Sequence, residues 1–228
     1  MNYSEMKEIA IPEGKTVSIA CGGKIFWQKQ QKQKYKRELL YLESTGTQFI
    51  DTGYVPNTNT KVALYAGGIN ANTFPTTSGS WFIGSRTNYM VEGFGTYYNP
   101  GQQALYGAFG NQQTNVSVPT SAFYGKDHLF EIDKSGLYLN GNKRISFNNS
   151  FSGKYPLYLF TINLAGARAN VLSFKTYYCK VWESNNLVRD FIPVLDWNDK
   201  PCLFDKITEE FFYNAGTGEF LYKEKEVA

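Results

Sequence analysis

Two short groups of residues have types and spacing that could do chemistry. The first is Asp51-Thr52-Gly53, in FIDTGY. That triplet can carry one carboxylate of an acid-protease dyad, in which two carboxylates about 3 Å apart share a proton. The chain has one copy, and bulky Tyr54 follows where a substrate would need room. A strand end and a turn built by Asp51 and Gly53 are expected instead. The second group is Glu131-Ile132-Asp133, in FEIDKSG. Alternation puts Glu131 and Asp133 on one strand face. Paired carboxylates cleave glycosides when a second acid stands about 5 Å from the first. Ser135 and Gly136 occupy the positions where that second glutamate would fall, so a strand entering a hairpin is expected. His128 is the only histidine and has no Ser–His–acid pattern around it, which places it at a strand edge. No catalytic residue is therefore assigned.

Metal and cofactor chemistry finds no better support. Cys21, Cys179 and Cys202 lie far apart, without ligand spacing. Cys179, in TYYCKVW, is expected as a small buried hydrophobe. No phosphate-binding loop occurs. No cofactor is expected, although loop carbonyls with a few Asp or Asn could hold calcium without leaving a sequence signature.

The elements that must position these residues are strands. The chain has 17 Tyr, 17 Phe and 4 Trp, spread over short apolar runs separated by Gly, Asn, Thr and Ser. KVALYA, SWFIGSR, ALYGAFG, HLFEID and LSFKTYYCKVW follow one another with no helical period between them. That texture predicts an all-β antiparallel sandwich or barrel. Asp133-Lys134-Ser135-Gly136 and Asn140-Gly141 read as hairpin turns. GTYYNPGQQ and GGINANTFPTTSGS read as surface loops. No run reaches the roughly 18 apolar residues of a membrane span.

Four regions follow. Residues 1–28 hold an alternating segment with Ile9 and Ile11, then a hairpin with Val17, Ile19, Ile25 and Trp27 and a turn at Gly22-Gly23. This piece is too small to bury a core alone and is expected to dock on its own sandwich, on another copy or on a different protein. Residues 29–37 form a basic linker with Lys29, Lys32, Lys34, Lys36 and Arg37. The main domain spans 38–222 and the tail 223–228. The net charge is +3, and without the linker's cations the remainder is slightly acidic, which argues against nucleic acid as a partner. The N-terminus has no apolar signal core, so secretion is not expected.

YLESTGTQFIDTGY (41–54), WFIGSR (81–86), YPLYLFTIN (155–163) and the segment from YYCKVW to AGTGEF (177–220) together resemble one family. It is the laminin-G-like branch of the concanavalin A-like lectin and glucanase jelly rolls, in the version common in phage and prophage structural proteins of gut bacteria. The IPEG…W leader resembles segments that precede such domains. Pro201-Cys202 departs from the small flexible pair usual before Leu-aromatic-Asp. The resemblance implies two packed antiparallel sheets with jelly-roll connections behind a short β-hairpin extension. It implies a non-enzymatic virion protein, a tail or head appendage, whose jelly roll binds host or mucus glycans. Residues 1–28 would anchor it to other virion proteins, and a homo-oligomer is expected. The alternative is a decoration or baseplate protein that contacts only protein.

Two side-chain expectations complete the sequence picture. Alternation in LVRDFIP puts Val188, Asp190 and Ile192 on one face, with Arg189 opposite and able to pair with Asp205. Sugars are held by aromatic rings and fixed polar groups. Trp81, Arg86, Asn88, Tyr89, Tyr97, Tyr98 and Asn99 supply that mixture, with Tyr97 to Asn99 expected in an exposed loop and Trp81 leaning towards the core.

Overall fold

The structure, a computed structural model, describes residues 33–69, 79–88 and 91–226, and the strand backbones of 17–21 and 24–29. Two compact units divide between Lys34 and Tyr35. In the first, β1 (Val17–Cys21) pairs antiparallel with β2 (Lys24–Lys29), and the register sets Cys21 opposite Lys24 across a two-residue connection. Ile19 faces Trp27, and a register shift follows before Ala20 meets Ile25. The hairpin expected from the sequence is therefore present. Ile9, Ile11 and the Gly22-Gly23 turn lie outside the described residues.

The second unit is an all-β sandwich. Among the described residues its larger sheet has ten strands. In order these are β12 (Asn142–Ser146), β11 (Gly136–Leu139), β10 (His128–Asp133), β5 (Thr60–Gly67), β16 (Lys175–Glu183), β3 (Arg37–Glu43), β17 (Asn186–Leu195), β18 (Pro201–Asp205) and β19 (Glu210–Phe212), with β20 (Leu221–Glu224) on β3. The eight-stranded sheet runs β15 (Ala167–Ala169), β14 (Ile162–Leu164), β6 (Ser80–Arg86), β7 (Gly93–Asn99), β8 (Ala104–Gly110) and β9 (Gln112–Ser117). Two short strands complete it: β13 (Tyr158–Leu159) pairs with β6 and with β4 (Ile50–Asp51). Pairing is antiparallel throughout except between β14 and β6.

Inward side chains of the two sheets meet in one core. Val62, Leu64, Phe130, Ile132, Cys179 and Phe191 come from the larger sheet, and Phe82, Phe94, Tyr98, Leu105 and Phe109 from the smaller. Phe82 reaches across to Phe130 with ring centroids 4.4 Å apart. Full burial of side chains this size contributes about 1.5–3 kcal/mol each, which is the main force holding the sheets face to face. Cys179 sits in this core as expected, and burial pushes its thiol up to about 12.

The hairpins read from the sequence form as written. Asp133 pairs with Gly136, and Asp133 Oδ1 accepts from the Ser135 amide at 2.7 Å. Asn140 and Gly141 both take positive φ, 52° and 76°, the geometry that matches strand twist in a two-residue loop.

Four sequence expectations need correction. First, residues 35–37 are not linker. Tyr35 packs on Phe204 at 5.2 Å, Lys36 N donates to the Leu195 carbonyl at 3.0 Å, and Arg37 opens β3. Lys29 at the other end belongs to β2. Second, residues 223–225 are not a free tail, because β20 runs antiparallel to β3 and Lys225 meets Glu38 at 2.6 Å. Third, Tyr97 to Asn99 are strand, paired with Tyr106, Leu105 and Ala104, and the turn is confined to residues 100–103. Fourth, YPLYLFTIN is not one strand. Phe160 takes φ 73°, and the chain breaks there into β13 and β14, which meet β6 in opposite senses.

Among the described residues no helix is long and apolar enough to cross a membrane.

Candidate functional site

The two catalytic-looking groups are used for structure. Asp51 Oδ1 accepts from the Gly53 amide at 2.9 Å, and buried Thr52 donates its hydroxyl to the Leu157 carbonyl at 2.8 Å. The triplet ends β4 and starts a turn, as its residue types predict. His128 faces inward at the first position of β10. Its Nε2 bonds the Ala122 carbonyl at 3.0 Å, and Asn140 Nδ2 meets its Nδ1 at 3.1 Å. Both ring nitrogens are satisfied by a neutral imidazole. Burial lowers its pKa more than the Ala122 bond raises it.

The expected sugar residues divide between the two faces of the smaller sheet. Tyr98 points into the core, fully buried, and its hydroxyl donates to the Val118 carbonyl at 2.7 Å. Tyr97 points outward, where it stacks on Trp81 at 4.6 Å and on Tyr106 at 4.4 Å. Trp81 is buried in this outer cluster with Ala108 and Ile162, and the Arg86 guanidinium lies 5.5 Å over its ring. With Trp81 and Tyr106 on its two sides, Tyr97 offers a ligand its edge and hydroxyl, and Gln113 Nε2 already donates to that hydroxyl at 3.1 Å. Asn99 Oδ1 accepts from the Gln102 amide at 3.2 Å within the following turn. Asn88 is exposed and bridges to Val91 at the strand end, and Tyr89 lies outside the described residues. The chosen residues therefore do not converge on one hollow.

A hollow does form on the outer face of the larger sheet. Glu131 of β10 stands opposite Ala63 of β5, Ala63 opposite Lys180 of β16, and Lys180 opposite Asp190 of β17. These four residues make one row across four strands. A parallel row beside it holds Leu129, Tyr65 and Tyr178. The row on the other side holds Lys61 and Trp182. Same-face rows are about 7 Å apart along a strand, so on β5 only the Ala63 methyl separates Lys61 from Tyr65, while on β16 Lys180 stands between Tyr178 and Trp182. The result is a groove of about 760 Å³ lined by these residues and by Ile192, Lys206, Glu38 and Lys225.

Its electrostatics are mixed. Lys61 meets Glu131 at 3.2 Å, and Lys180 and Lys206 each approach Asp190 at 3.6 Å. Asp190 has only 9% of its side chain exposed, and its Oδ1 has no hydrogen-bond donor among the described residues. A groove acid buried to that degree and short of a donor can accept one from a ligand. At one end of the groove Tyr177 is a bulged residue whose hydroxyl donates to Asp127 at 3.0 Å. Burial first, then that carboxylate, pushes the phenol well above its usual range.

Glu131 lies in this groove, but Asp133, expected on the same strand face, is committed to its own turn through Ser135. The remaining acid of the row, Asp190, is three strands from Glu131, about 14 Å at the backbone. Glycoside cleavage needs carboxyl groups about 5–9.5 Å apart. Lys61 meets Glu131 at one end of the row, while Lys180 and Lys206 flank Asp190 at the other without a hydrogen bond to it.

This groove is not legible in the sequence, because its members come from four separate strands and Ala63 carries no chemical signal. The alternating pattern KVALYA, with Lys61, Ala63 and Tyr65 on one face, was the available hint. No protein-family model matches the chain, and no curated protein matches it.

Proposed function

We propose that this chain is a non-enzymatic, glycan-binding structural protein of a virion, anchored by its N-terminal segment and presenting the groove over Ala63 to host or mucus glycans. The observation that carries the binding half is the groove itself. It combines a low point at Ala63, aromatic rims from Tyr65, Tyr178 and Trp182, and the charged side chains of Glu131, Lys180 and Asp190 along the row between them. Sugar sites use this combination, because a pyranose has apolar C–H faces and a ring of hydroxyls that both donate and accept. The virion half rests on the sequence phrases that resemble phage jelly-roll proteins and their leader. The seat of the ligand moves in this proposal from the Trp81–Tyr97 cluster to the groove.

Ala63→Tyr tests the seat. Ala63 points outward, so a tyrosine there fills the groove without entering the core. The variant is expected to keep the wild-type melting temperature and to lose binding on an array of microbial and mucin glycans. Tyr97→Ala, on the opposite sheet, is expected to keep binding. Binding that survives in Ala63→Tyr would place the ligand elsewhere.

A further inference from the structure

We infer that the groove selects an acidic saccharide, with a sugar carboxylate seated where Lys180 and Lys206 flank Asp190. This rests on the glycan-binding reading and names the ligand class of the same site. The charges lining the groove are not equivalent. Lys225 and Glu38 are in contact at 2.6 Å, and Lys61 and Glu131 at 3.2 Å, so these two pairs satisfy each other. At the remaining end two cations share one anion. Lys180 and Lys206 both stand 3.6 Å from Asp190, beyond ordinary hydrogen-bond length, and keep their N–H donors for a ligand. Their side chains are 38% and 45% exposed, within reach of a molecule lying in the groove.

The end is also built to hold its geometry. The Lys206 amide donates to the Asp190 carbonyl at 3.0 Å, and the Asp190 amide donates to Asp205 Oδ1 at 2.8 Å. Asp190 Oδ1 is buried and has no hydrogen-bond donor among the described residues. A sugar with a carboxylate beside a hydroxyl answers both features. The carboxylate takes charge-assisted bonds from the two ammonium groups, and the hydroxyl donates to Asp190. A neutral sugar would answer only the second. Uronic and nonulosonic acids have the required chemistry.

The test is an array of microbial polysaccharides and mucin glycans, each acidic member spotted beside its carboxyl-reduced, neutral form. Wild type, Lys180→Gln, Lys206→Gln and Ala63→Tyr are compared. The expected result is binding to acidic spots that is lost on reduction and on Ala63→Tyr. Each lysine variant should weaken it roughly tenfold or more, and it should fall as salt rises. Equal binding to reduced forms, unchanged in both lysine variants but abolished by Ala63→Tyr, would overturn the acidic preference and leave the groove as a glycan site. Binding unaffected by Ala63→Tyr, or none to any spot, would overturn the glycan reading of the groove and the acidic preference with it.

Discussion

The carboxylate of Asp205 is fully buried, yet it is met by three hydrogen-bond donors and one cation. The amides of Asp190 and Ile207 reach its Oδ1 at 2.8 and 3.0 Å, Thr208 donates to Oδ2 at 3.0 Å, and the Arg189 guanidinium lies 3.5 Å away. Removing it strands those donors and leaves a half-buried cation. Asp205→Ala is expected to lower unfolding free energy by about 3 kcal/mol or more, read by urea titration. The Arg189–Asp205 pair was legible from the alternation of LVRDFIP. The other donors were not, since two are backbone amides and one a turn hydroxyl that only the fold brings to Asp205. Val188 sits at a bulge, where Arg189 pairs with Val181 but Leu187 with Trp182. That extra residue turns Val188 to the core and parts it from Asp190 and Ile192, correcting the simple alternation. His128 makes a second prediction at this scale. Its folded pKa lies below the usual value, so the unfolded chain takes up the proton first as pH falls. The stability linked to neutral His128 is complete above about pH 6.5 and is lost below it. The urea midpoint should fall between pH 7.5 and 5.5, and part of that fall should be missing in His128→Gln.

Among the elements, the turns were the most legible, because their residue types are dictated by backbone angles. Asn140-Gly141 and the Asp133 turn needed no tertiary information. β9 was hidden: QQTNVS lacks an apolar face and is held as an edge strand by its ladder to β8. β7 was cut short in the sequence analysis because Tyr97 and Asn99 have polar groups that suit a loop, while Tyr98 needed the opposite sheet to show that it is core. Gly95 illustrates what pairing adds. At φ 139° a Cβ there would lie 2.1 Å from the Ile83 carbonyl oxygen, across the ladder to β6. Gly95→Ala is expected to cost more than about 3 kcal/mol in denaturant unfolding. Gly141→Ala, where no atom crowds the added carbon, should cost only about 1 kcal/mol.

The whole molecule divides between Lys34 and Tyr35, and this sets where it can be cut. Deleting residues 1–34 leaves β3, the Tyr35–Phe204 contact and the Lys36–Asp199 pair in place. That truncation should melt as the full chain does, keep glycan binding, and fail to enter particles. Deleting 1–37 removes those contacts and should melt several degrees lower in a thermal scan. Normal incorporation of the shorter chain would reject the anchor. Two-layer architecture was legible from composition and strand runs, because burying one face of each amphipathic strand leaves few other solutions. The groove was not, because it depends on register across β10, β5, β16 and β17.

The antiparallel clasp of β3 and β20 gives the domain a mechanical asymmetry. Its first and last strands lie side by side, with Arg37 ion-paired to Glu224 and Lys225 to Glu38 at the end where both chain directions exit. Tension applied between those two exits opens the ladder one rung at a time, like a zipper. β3 is joined to β16 and to β17 by two residue pairs each, so the four-pair ladder to β20 is its longest. A pull between the two exits therefore strips β20 from β3 before it reaches the strands behind them.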